Sequence, residues 1–76
     1  MNRQQLFATY LKQHGWHEER STSGKYRTFA CDGHDTKYFL GKCGAIRKGR
    51  CASKSHSITD NVNWPAVEAS VNAEAT

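Results

Sequence analysis

Tyr38-Phe39-Leu40-Gly41-Lys42-Cys43-Gly44-Ala45-Ile46-Arg47-Lys48-Gly49-Arg50 is the stretch that decides how this chain folds. It opens with a strand pattern, breaks at glycine, resumes as a shorter apolar pair and ends in a basic cluster. A pleated strand sends Tyr38 and Leu40 to one side and Phe39 and Gly41 to the other. Gly41 and Gly44 bracket Lys42 and Cys43, a tight connection that calls for a positive φ somewhere within it. Ala45-Ile46-Arg47 then returns as an antiparallel partner. The expectation is a β-hairpin, aromatic at its base, with Lys42, Arg47, Lys48 and Arg50 exposed on one side of it.

Upstream, Lys25 to Cys31 reads as a second strand, with Tyr26, Thr28 and Ala30 on one face and Arg27, Phe29 and Cys31 on the other. Asp32-Gly33 opens the loop that joins it to the strand starting at Lys37. A short edge strand from about Trp16 to Thr22 precedes it, and Ser23-Gly24 marks a turn. The N-terminus carries a helix over residues 3–14. Asn2 is a good N-cap, Gln5 stands three residues later, and Leu6, Phe7, Tyr10 and Leu11 form an apolar stripe. Gly15 fits the C′ position, with Trp16 folding back on Leu11. Downstream, Lys48 to Ser57 reads as loop or irregular edge. Thr59 and Asp60 are candidate caps, and Pro65 starts a short helix reaching about Val71. The reading is α+β: an N-terminal helix on a three- to four-stranded antiparallel sheet, with a short C-terminal helix. Residues 1–71 form one domain and 72–76 a frayed tail.

Seventy-six residues with 37% apolar content make a single thin core that leans on its aromatic residues. No run approaches the ~20 apolar residues of a membrane span. No apolar signal segment follows Met1-Asn2-Arg3-Gln4-Gln5, and three cysteines are an odd number, which fits reduced thiols in a cytoplasmic protein. The net charge of +4 is unevenly spread. Residues 25–54 hold eight Lys and Arg against Asp32 and Asp35, whereas residues 55–76 hold Asp60, Glu68 and Glu74 and no Lys or Arg. That asymmetry points to a polyanionic partner.

Three chemistries compete for the candidate residues. Cys31, His34, Cys43 and Cys51 offer four zinc-type donors. Only Cys31 and His34 have chelate spacing, so the reading is no metal, with this quartet as the alternative. Cys31 beside His34 lacks an orienting third group, and no phosphate loop, dinucleotide fingerprint or hydrolase elbow occurs, so an enzyme and a cofactor are not expected. Arg27, Lys37, Lys42, Arg47, Lys48 and Arg50 interleave with Tyr38 and Phe39, the combination of cations for phosphates and rings for bases. The expected function is non-enzymatic nucleic-acid binding, with DNA ahead of RNA. The alternative is a protein-interaction module that modulates a host or phage partner through the same sheet surface.

The runs Tyr26-Arg27-Thr28-Phe29 and Tyr38-Phe39-Leu40-Gly41-Lys42 resemble the strands of AP2-type and integrase arm-type DNA-binding sheets. Those domains place their helix after the sheet, and here it comes first. The run from Tyr38 to Arg50 also resembles small phage- and prophage-encoded proteins with a Phe-Leu-Gly-Lys-x-Gly-Ala-x-Arg core. That resemblance implies a mobile-element origin and no defined activity.

Overall fold

The computed structural model describes residues 2–20 and 26–74. Its elements run α1 (Arg3–Gln13), β1 (His17–Glu19), β2 (Tyr26–Ala30), β3 (Lys37–Gly41), β4 (Ile46–Gly49), β5 (Ser55–Ser57) and α2 (Trp64–Glu74), with 3₁₀ turns at Ala52–Lys54 and Thr59–Asn61. The five strands form one antiparallel sheet in the order β1-β2-β3-β4-β5. The α+β architecture is as the sequence predicts, with five strands in place of three or four.

Both ends of α1 are set by local chemistry. The Asn2 side chain accepts the Gln5 N–H at 2.8 Å, satisfying one of the donors that a helix start leaves without a partner. At the other end Trp16 N–H donates to Leu11 C=O at 2.9 Å and Gly15 N–H to Lys12 C=O at 3.3 Å. Gly15 has φ +87°, the left-handed conformation of a Schellman ending. Leu6, Phe7, Ala8 and Leu11 are all buried. Three buried neighbours in a row need cover on two sides of the helix, and α1 has it. Phe7, Ala8 and Leu11 pack with Phe29, Leu40 and Ile46 of the sheet. Leu6 packs with Val67 and Val71 of α2.

The C-terminal helix is as long as α1, at 11 residues, and continues through Glu74 where a frayed segment was expected. Its start is capped by Asn63, whose Oδ1 accepts the Ala66 N–H at 3.3 Å. Gln13 and Ser70 tie the two helices together, with Ser70 Oγ 2.9 Å from Gln13 Oε1. No helix among the described residues is long and apolar enough to cross a membrane. The turn expected at Ser23-Gly24, the Lys25 start of the second strand and residues 75–76 lie outside the described residues.

The β3–β4 hairpin closes as its glycines require. Gly41 N–H donates to Ala45 C=O at 2.8 Å, Gly44 N–H to Gly41 C=O at 3.1 Å, and Gly44 takes φ +87°. After β4 the chain turns sharply, and the region from Lys48 to Ser57, expected as loop or irregular edge, supplies the short edge strand β5. A Cβ at Gly49 would lie 2.5 Å from both the Lys54 carbonyl oxygen and Ser55 Cα. Only a residue without a side chain lets β5 return this close. Beyond β5, Thr59 anchors the chain: Ile46 N–H donates to its hydroxyl at 2.8 Å, and Trp64 Nε1–H donates to its carbonyl at 3.1 Å.

Candidate nucleic-acid interface

The register assigns every predicted contact residue to a face. Phe29 pairs with Tyr38, and Leu40 pairs with Ile46 and Tyr38 with Lys48, so these side chains share the face covered by α1. Thr28, Phe39 and Arg47 are aligned on the opposite face, on which no helix is packed among the described residues.

The expectation that Lys42, Arg47, Lys48 and Arg50 lie on one side of the hairpin is corrected. Arg47 and Lys48 are consecutive in a strand and point to opposite faces. Lys42 and Arg50 are exposed at opposite ends of β4. The aromatic residues are equally divided. Phe39, on the helix-free face, is only 5% exposed and meets Tyr26 edge-on. Tyr38, on the helix side, is half-buried, with Phe7 at 5.4 Å, Trp16 at 4.8 Å and Lys48 Nζ 5.2 Å from its ring centre.

Two of the six predicted cations are already paired. Arg27 forms a two-pronged bond to Glu18, at 2.9 and 2.8 Å, and lies over Phe29. Lys37 Nζ donates to Glu19 at 2.8 Å. The hydrogen bond from Arg27 holds the Glu18 carboxyl below the usual carboxylate range, and that from Lys37 does the same for Glu19. Arg47 is tethered too: its Nε donates to Ser55 Oγ at 2.9 Å and its terminal nitrogen to Ser55 C=O at 2.6 Å.

A carboxylate with a depressed folded-state pKa adds stability above its unfolded value, near pH 4, and that contribution is lost as pH falls through the folded value. Acidification should therefore loosen β1 from the sheet below about pH 4. The side-chain carboxyl carbons of Glu18 and Glu19, followed by NMR, are expected to titrate below the peptide value. Midpoints at or above it would mean that the two pairs do not form.

Among the described residues, the other cations of the sheet and its turns have no carboxylate partner and gather toward the β4–β5 edge. From residue 36 to residue 59 the chain has six Lys and Arg and no Asp or Glu. Once Lys37 is set aside with Glu19, there remain Lys42 in the hairpin turn, Arg47 and Lys48 on β4, Arg50 after it and Lys54 before β5. Exposed His56 stands opposite Lys48 on β5. The sheet is thus charge-balanced along β1–β3 by these pairs and basic along β4 and the turns beside it. Lys54, His56 and the serines at 53, 55 and 57 did not figure among the predicted contacts. Their signal was the unbroken absence of carboxylates.

The four candidate zinc donors are not brought together. Cys31 and His34 lie in the β2–β3 loop, whereas Cys43 sits in the β3–β4 turn at the far end of β3, roughly 17 Å away for five strand residues. His34 instead stacks on Trp16, at 5.0 Å. Cys51 is exposed, and the Ser53 hydroxyl, 3.3 Å from its sulfur, together with the Lys54 backbone N–H lowers its pKa below the ordinary thiol value. No cluster of three or more His, Cys, Asp or Glu suited to a metal occurs among the described residues. No protein-family model matches the chain, and neither a curated protein nor a solved structure matches it.

Proposed function

We propose that this chain is a non-enzymatic nucleic-acid-binding accessory protein, working in the cytoplasm and of phage or prophage origin, whose contact surface is the basic β4–β5 edge. The origin rests on the resemblance of the Tyr38–Arg50 run. The binding rests on one observation: Glu18 and Glu19 pair off the cations of β2 and β3, so the remaining sheet cations concentrate on β4, β5 and the turns beside them. Such a stripe attracts phosphates without needing a cleft. Ser53 and Ser57, both exposed, add hydroxyls of the kind that also bond phosphate oxygens. The protein-interaction alternative has weaker support, because Phe39, at the centre of the helix-free face, is too enclosed to serve as a hot spot.

Arg50 and Lys54 are the cations to replace, since both are exposed and neither ties the sheet together as Arg47 does. Each phosphate contact contributes about 0.9 to the log–log salt slope on duplex DNA. The pair R50A/K54A is expected to lower the slope by about 1.8 with an unchanged circular dichroism spectrum. Arg27→Gln, at a cation already held by Glu18, should leave the slope where it was. Absence of binding to duplex or single strands at about 50 mM salt, where electrostatic attraction is strong, would overturn the proposal.

A further inference from the structure

We infer that the polyanion is double-stranded DNA, gripped by its two phosphate backbones across the major groove with no base stacked on the protein. The inference rests on the nucleic-acid reading above and narrows it.

Two observations carry it. The first is the state of the rings. Single-strand binders need aromatic faces open to bases beside the cations. Here Phe29 is 0% and Phe39 5% exposed. Tyr38 is half-buried, its ring in contact with Phe7, Trp16 and Lys48, and Tyr26 lies across Gly41, its ring 3.6 Å from where a Cβ would stand. Trp16 is engaged by Tyr38 and by His34. The basic edge therefore offers charge and hydroxyls and no stacking platform.

The second is spacing. Lys42 and the Arg50–Lys54 pair lie at the two ends of β4, roughly 15 Å apart at the ordinary strand rise. The B-form major groove is about 12 Å wide, so flexible side chains at the two ends reach the two backbones that border it. The major groove of A-form RNA is narrow and deep, so the spacing of its two backbones does not match that of the two clusters.

Binding of the full chain to a labelled random duplex DNA, the matching duplex RNA and the single strand, at about 50 mM salt, tests this. With equal binding near 1 M salt, the three contacts of Lys42, Arg50 and Lys54, at slopes of about 0.9 on duplex and 0.7 on single strands, favour duplex DNA by about sixfold at that salt. Duplex DNA should also bind more tightly than duplex RNA. Lys42→Ala and Arg50→Ala should each weaken duplex binding by on the order of tenfold, with melting temperatures near that of the parent. Single-strand or duplex RNA binding equal to or tighter than duplex DNA overturns this inference and leaves the nucleic-acid reading standing. So does a Lys42→Ala variant that binds duplex DNA like the parent. Failure to bind any of the three polymers overturns both.

Discussion

Replacing Phe29 by alanine is expected to remove about 3–5 kcal/mol of stability, the range for losing a buried aromatic ring. The ring is fully buried at the centre of β2, in one cluster with Phe7, Ala8 and Leu11 above and with Leu40 and Ile46 beside it. A sheet backbone on one side and a helix on the other leave little room for collapse into the vacated volume. For 76 residues the total stability is about 4–11 kcal/mol at the usual value per residue, so the variant should be near or beyond the point of unfolding. Urea denaturation followed by tryptophan fluorescence reads the loss directly. A change below about 1 kcal/mol would place Phe29 outside the core.

Gly49→Ala should be costly for a different reason. The added methyl would meet the Lys54 carbonyl and Ser55 Cα at 2.5 Å, and neither is the movable end of a side chain. Either β4 bends or β5 moves away. Overpacking against backbone belongs at the upper end of the usual range, about 3 kcal/mol. The effect should also be local: the amides of His56 and Ile58, which face β4, are expected to lose hydrogen-exchange protection while those of β2 and β3 keep theirs. A parent-like exchange pattern would show that the β4–β5 seam tolerates a side chain. Since that seam also positions Lys54 and His56, duplex binding should fall in the same variant.

Much of this architecture is legible in the chain itself. Asn2, Gln5, Gly15 and Trp16 mark both ends of α1 through hydrogen bonds between near neighbours, and local chemistry of this kind survives in any tertiary setting. The hairpin glycines at 41 and 44 are equally local. The fifth strand is not: Ser55-His56-Ser57 has no apolar alternation, and its pairing depends on Gly49 and Arg47, distant signals that periodicity does not register. The extent of α2 was hidden because only Val67 and Val71 are buried, and these lie against α1 rather than the sheet.

The site was legible in part. That Arg47 and Lys48 cannot share a face follows from the period of a strand and could have been read directly. That Glu18 and Glu19 would neutralise Arg27 and Lys37 could not. It depends on the β1–β2 register, which sets Glu18 opposite Phe29 and Glu19 opposite Thr28.

The strand order has a consequence for the route by which the molecule assembles. Every neighbour in the sheet is also a neighbour in sequence, so the meander can grow hairpin by hairpin, each step closing a short loop at small entropic cost. The docking of the helices, α1 on the sheet and α2 on α1, is the exception. Gln13 and Ser70 meet across 57 residues of chain, and that long loop becomes short only after the sheet between them has formed. The two helices thus act as a clasp that shuts last, joining the chain's beginning to its end over a sheet already in place.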